Sequence, residues 1–225
     1  MQIFIILAAL LLNACTASLS SDNLDSTQRL KADARITLGM NYMQRSHMVK
    51  AKQNFQMALE HAPWYYRSQI AMARYFDTVS DYEKAHKWYK SALRSEPNNG
   101  QVLNDYGSFL CKRSQFKLAQ TQFTKAVTLD DYYHIADVYQ NSALCWLKEG
   151  KPEQAITHFR HTLARDPNRP QTLLNLAKLE IEHGELNQAL KHLDHFTTTF
   201  GQHPLSIALF NALEEKRSQK NQKIN

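Results

Sequence analysis

The side chains best suited to bind a metal or move a proton are histidines, of which the 225-residue chain has 10. His158 and His161 share one helical face, as do His192 and His195. Two imidazoles at that spacing can ligate zinc, but a zinc site needs further ligands and groups that orient the rings. Neither pair has a recognisable third partner, and no HExxH is present. Catalysis finds no better support. The sequence has no Gly-rich phosphate loop, no nucleophile elbow and no paired-carboxylate pattern. Asp130 and Asp131 are adjacent, but they stand where a helix ends. The expectation is a non-enzyme with no cofactor and no metal, whose function lies in its surfaces.

Cysteine offers a different chemistry. The run "IFIILAALLL", residues 3–12, is uninterrupted and apolar, and it leads through "LNAC" to Cys15. A bilayer span needs about twenty apolar residues, so this run fits the hydrophobic region of a secretory signal instead. "LNAC" resembles a bacterial lipobox, with Leu at minus three and Ala at minus one. That resemblance implies cleavage before Cys15 and acylation of it; the other reading is ordinary cleavage after Ala14, with Cys15 free. Each buried methylene contributes about 0.8 kcal/mol, so several acyl chains together hold a protein firmly to a membrane. Thr16 follows Cys15 where an Asp would retain an enterobacterial lipoprotein at the inner membrane, which implies the outer membrane. Residues 16–28, "TASLSSDNLDSTQ", read as a short tether.

The formal charge is +6, but Lys and Arg are scattered among Asp and Glu. Only the tail "EEKRSQKNQK", residues 214–223, is locally rich in charge, and it reads as solvated. No nucleic-acid partner is expected from that distribution, and the chain is expected to be a monomer.

The elements that carry these residues repeat. "LGMNYMQRSHMVKAKQNFQMALEHAP" from Leu38 aligns without a gap to "MARYFDTVSDYEKAHKWYKSALRSEP" from Met72, an offset of 34. "YGSFLCKRSQFKLAQTQFTKAVTLDD" from Tyr106 follows at the same offset. Copies starting at Ser142, after a two-residue insertion, and at Leu176 complete five. This is the tetratricopeptide pattern of helix pairs. The first helix of each pair needs a small residue where its neighbour crosses, and has Gly39, Ala73, Gly107, Ala143 and Ala177. The second helix has alanine in all five copies: Ala51, Ala85, Ala119, Ala155 and Ala189. Phe55, Tyr89, Phe123, Phe159 and Leu193 plug the space between. Pro63, Pro97 and Pro167 stop second helices, Pro152 opens one, and Gly150 and Gly184 lie in turns. The fifth copy is the weakest, with Glu180 and Phe196 in unusual places.

The predicted fold is all-α: a right-handed superhelical solenoid of about five tetratricopeptide helix pairs plus a C-terminal capping helix, as solenoid ends require. The expected spans are a signal peptide at 1–14 and a lipidated N-terminus with its tether at 15–31. Repeats follow at 32–65, 66–99, 100–135, 136–169 and 170–203, then a cap at 204–220 and a tail at 221–225.

First helices line the concave face of such a stack. In this phase the partner groove receives Ile36 and Met40 from copy one, and Ile70 and Arg74 from copy two. Copy three gives Asn104 and Ser108, copy four gives Gln140, Leu144 and Leu147, and copy five gives Lys178. Apolar residues inside a polar frame suit a peptide or protein partner; packing between helices is the competing explanation for Leu144 and Leu147. Cys111 and Cys145 lie near the ends of neighbouring first helices that run the same way. In an oxidising compartment they fit a disulfide between adjacent repeats; otherwise they are two small buried thiols.

The segment "NDYGSFLCKRSQFKLAQTQF", Asn104 to Phe123, with the lipobox and two repeats before it, resembles the type IV pilus biogenesis and stability lipoprotein family, PilF/PilW. The shared run is Asn104, Tyr106, Gly107, Phe109 and Leu110, and "NSALCWLKEGKPEQA" in copy four is also similar. The resemblance implies a pilotin: an outer-membrane lipoprotein on the periplasmic face that binds the secretin subunit of the type IV pilus machinery and promotes its ring assembly. Within that run Asn104 faces the groove by the repeat phase and is the candidate for hydrogen bonding to a partner, with Tyr106 and Gly107 as packing. Two rivals remain at the level of sequence: a tetratricopeptide scaffold for another envelope complex, and a periplasmic hydrolase or enzyme accessory.

Overall fold

The structure is a computed structural model that describes residues 23–130 and 132–222, with the run of the first helix back to Gln2 given as backbone alone. The expected signal at 1–14 and the expected lipidation position Cys15 lie outside the described residues. Among the described residues every regular element is a helix. They form two compact units, residues 1–97 and 98–225.

The first unit holds two antiparallel pairs, α1 (Gln2–Gln44) with α2 (Met48–His61) and α3 (Tyr66–Thr78) with α4 (Tyr82–Ser95). The second holds α5 (Gly100–Lys112) with α6 (Phe116–Val127), α7 (Ile135–Lys148) with α8 (Pro152–Arg165), and α9 (Pro170–Glu182) with α10 (Leu186–Phe200). The last helix, α11 (Pro204–Gln222), packs on α9 and α10 through Leu209 and Leu213. Its buried residues Ser206, Leu209 and Leu213 recur at helical spacing, while the charged C-terminal half faces water.

Residues 23–31 correct the expectation of a flexible tether, for they belong to α1. Asp25 pairs with Arg29 four residues on at 2.9 Å, and the Arg29 guanidinium stands 4.8 Å over the Trp64 ring. Tertiary contact with the loop between α2 and α3 therefore carries the helix back beyond the repeat.

The small-and-plug pattern closes each pair. The five alanines of the second helices are fully buried, as are Ala73, Ala143 and Ala177. Phe55, Phe123, Phe159 and Leu193 are at most 1% exposed, and Tyr89 is buried at 3%. Glycine is required at two of the crossings: a Cβ at Gly39 would lie 2.5 Å from Phe55 Cε1, and one at Gly107 would lie 2.7 Å from Phe123 Cε1. The two-residue insertion before the fourth copy also has a role. Tyr132 lies against Gly100 at the start of α5, so close that a Cβ there would come 2.2 Å from Tyr132 Cγ.

The turn inside each pair has a left-handed residue at one register position: Ser46, Ser80, Ser114, Gly150 and Gly184, with φ between 59 and 80°. An L-residue in this region costs about 1–2 kcal/mol relative to right-handed backbone, and glycine escapes most of it. Ser80→Gly and Ser114→Gly should therefore each stabilise the protein by roughly 0.5–1 kcal/mol, with glycine's greater freedom in the unfolded chain offsetting part of the relief. Chemical denaturation of the two variants against the parent checks this; lower midpoints would show that the serines are not strained.

Candidate partner-binding surface

In the first unit the surface of interest is formed by α1 and α3. Ile36 and Ile70 are 9% and 3% exposed, so they are packing residues and not the open groove wall expected from the repeat phase. Met40 is half-buried against the same core, and Arg74 is half-buried beside it. The polar edge is set by Asp33, whose carboxylate accepts a hydrogen bond from the Tyr65 hydroxyl at 3.2 Å and stands 3.0 Å from the Arg67 guanidinium. Burial pushes the Tyr65 phenol above its ordinary pKa, which keeps it a hydrogen-bond donor.

The second unit presents α5, α7 and α9. Three devices lock α5 to α7. In the first half of α5 and the middle of α7, Asn141 Nδ2 donates to Asn104 Oδ1 at 3.0 Å. Near their ends Cys111 and Cys145 are joined as a disulfide, with Cα atoms 5.7 Å apart. Lys148 then reaches from α7 to the C-terminus of α5, where its Nζ donates to the carbonyl oxygens of Lys112 at 2.8 Å and Cys111 at 3.3 Å. Both carbonyls lie in the last turn of α5, where that of Cys111 also accepts from the Ser114 N–H at 3.0 Å, and a cation there complements the helix dipole.

Asn104 is thus buried, 9% exposed, and its carbonyl serves the joint. This corrects the expectation that Asn104 faces a partner: the amide is used between helices of the same chain. Ser108, Gln140, Leu144 and Leu147 are half-buried, and Lys178 is exposed with Glu182 3.9 Å away. Leu144 and Leu147 rest on the core beneath α7 and α8 while part of each stays open. Their frame is rigid. Arg169 donates to Asp137 at 2.6 Å, to Asp166 at 2.8 Å and to Gln140 at 3.2 Å, and the Thr172 hydroxyl donates to Gln140 at 2.9 Å. Leu144 and Leu147 therefore project from a stapled two-helix plate with fixed polar edges.

The histidine pairs are engaged in packing and hydrogen bonds. The rings of His158 and His161 flank Tyr139, with centroids 5.6 and 4.9 Å from it. Burial, and then the neighbouring His161, hold His158 below the usual imidazole pKa. His195 Nε2 is 3.0 Å from Asn168 Oδ1. His192 Nδ1 is 2.7 Å from Glu180 Oε2, whose other oxygen accepts from Arg160 at 2.9 Å. Arg160 also reaches Glu185. Sequence reasoning missed this network. Its signal was the register: Glu180 occupies the place of Tyr42, Phe76, Leu110 and Trp146 in the other copies, and a carboxylate in an apolar position demands partners.

Antiparallel pairs with small-and-plug crossings and left-handed turns at one register position define a tetratricopeptide-repeat protein, and a tetratricopeptide-repeat family model matches residues 147–204. The type IV pilus assembly protein PilF of Pseudomonas aeruginosa is 32% identical over 177 residues, which span 79% of this chain and 70% of PilF. An uncharacterized protein of Haemophilus influenzae is 33% identical over 144 residues, 64% of this chain and 79% of the relative. The solved P. aeruginosa PilF structure superposes with a TM-score of 0.75 at 30% identity, covering 87% of this chain and 88% of that one. PilW, a widely conserved type IV pilus biogenesis factor, shares the fold with a TM-score of 0.68 at 22% identity over 84% and 91% of the two chains. The chain belongs to the PilF/PilW family of tetratricopeptide proteins.

Proposed function

We propose that this protein acts in type IV pilus biogenesis as a periplasmic lipoprotein, anchored to the outer membrane through acylated Cys15, that binds the pilus secretin subunit and promotes its localisation and multimer assembly. The observation that carries the reading is the identity to PilF across most of both chains. Three features support it. "LNAC" resembles the signal for a lipid anchor. The Cys111–Cys145 disulfide suits an oxidising periplasm. The plate of α5 and α7 offers a protein partner a stiff surface with half-open Leu144 and Leu147 at its centre, so little conformational freedom is lost on docking.

The test is a binding titration of the purified protein against the periplasmic part of the secretin from the same cell. Leu144→Asp and Leu147→Glu place charge at the apolar centre and should weaken binding at least ten-fold; both side chains are half-buried, so a lower melting temperature is expected, and retained helix content shows that each variant is folded. A variant that folds and binds as the parent does would remove this surface from the account. Secretin binding that is absent in the parent protein would favour a scaffold for another envelope complex.

A further inference from the structure

A cleft of about 630 Å³ lies between α6 and the C-terminal end of α7, lined by neither Leu144 nor Leu147. Its floor is fixed: buried Gln120 exchanges hydrogen bonds with the hydroxyl and carbonyl of Ser142. Its wall is unusual. Among the described residues the indole N–H of Trp146 and the Oε2 atom of Glu149 have no hydrogen-bond partner, although both atoms are buried. One is a donor and the other an acceptor, and buried groups of either kind are normally paired. Lys151 lies over both residues, its ammonium 2.8 Å from Glu149 Oε1 and 5.0 Å from the centre of the Trp146 ring. Lys151 is a surface side chain, with 45% of it exposed, so its ammonium can also meet an incoming anion.

We infer that this cleft binds an acidic peptide segment. The lining carries Lys117, Lys125 and Lys151 against the single carboxylate Glu149, which favours an anion. A peptide backbone supplies a carbonyl for the Trp146 N–H and an N–H for Glu149, and acidic side chains meet the lysines. A sugar would stack on an open aromatic face, whereas one side of the Trp146 ring carries the Lys151 ammonium and His158 meets the ring edge-on with centroids 6.3 Å apart. The indole therefore offers its N–H edge.

The test is fluorescence anisotropy of the purified protein with a fluorescein-labelled peptide of four Asp-Ser repeats, acetylated at its N-terminus. Saturable binding is expected. Lys117→Gln with Lys125→Gln should weaken it at least ten-fold. Trp146→Phe, which keeps the ring and deletes the N–H, should weaken it about five-fold. Lys87→Gln with Lys90→Gln, the same loss of charge on α4, should leave it unchanged. Equal losses from the α4 pair would reduce the effect to general electrostatics and overturn the site. Absence of binding would also overturn it, as would an oligogalacturonate hexamer displacing the peptide in a Trp146-dependent way.

Discussion

Arg160→Met is expected to destabilise the protein by about 3 kcal/mol, whereas Glu180→Leu should be neutral or stabilising. The asymmetry follows from where each charge sits. The Glu180 side chain is fully buried, while 44% of the Arg160 side chain is exposed and it retains Glu185 as a second partner. Removing Arg160 leaves a carboxylate in the core with His192 as its one remaining listener, a case that costs about 3–5 kcal/mol when no partner is left. Removing Glu180 instead restores the apolar character that Tyr42, Phe76, Leu110 and Trp146 give this register position in the other copies. Leucine is shorter than the aromatic residues and close to glutamate in volume, so it fits without forcing α9 from α10. Denaturant titrations of the two single variants and the double variant check the account. Equal destabilisation by the two single variants would mean that the network contributes net stability and not only mutual neutralisation.

Loss of the Cys111–Cys145 bridge is the second large effect. The disulfide closes a loop across a separation of 34 residues, for which the loss of unfolded-chain entropy corresponds to about 3–4 kcal/mol. A Cys111→Ser, Cys145→Ser double variant should lose that stability. It should also loosen the plate that carries Leu144 and Leu147, because the Asn104–Asn141 bond and the Lys148 cap are individually worth about 1 kcal/mol or little more. Hydrogen exchange at the C-terminal turn of α5 should accelerate while α9 and α10 remain protected. Thermal unfolding with and without reductant gives the same comparison on the parent protein. A melting temperature indifferent to reductant would show that the helices hold this joint without the bridge.

The repeats were legible because they are made of size, and residue size is written directly in sequence. Gly39 under Phe55 and Gly107 under Phe123 announce the crossings without any knowledge of partners. The left-handed turns were half legible: Gly150 and Gly184 signal them, while Ser46, Ser80 and Ser114 adopt the same φ with no such signal. Their place is set by the helices on either side and not by their own preference. The groove was harder to read. A shift of one position along a helix rotates a side chain by about 100°, enough to turn an open residue into a buried one. Ile36, Ile70 and Asn104 fell on the wrong side of that shift, while Leu144 and Leu147 stayed half-open. Asn104 carries a further lesson. It belongs to the segment by which the family is recognised, yet its carbonyl holds α5 to α7. One residue of that segment therefore serves a joint within the chain. Residues 23–31 read as a tether because their apolar residues are few, and it took Arg29 on Trp64, a pairing across 35 positions of sequence, to order them.

If, as proposed, this protein assembles the secretin at the outer membrane, the quantity to measure is the detergent-resistant secretin multimer in outer-membrane fractions of cells lacking the gene. Multimers should vanish and monomers accumulate. Re-expression of the parent protein should restore the multimers, and re-expression of Leu147→Glu should not. Multimers normal in amount and location in the deletion strain would contradict the proposal.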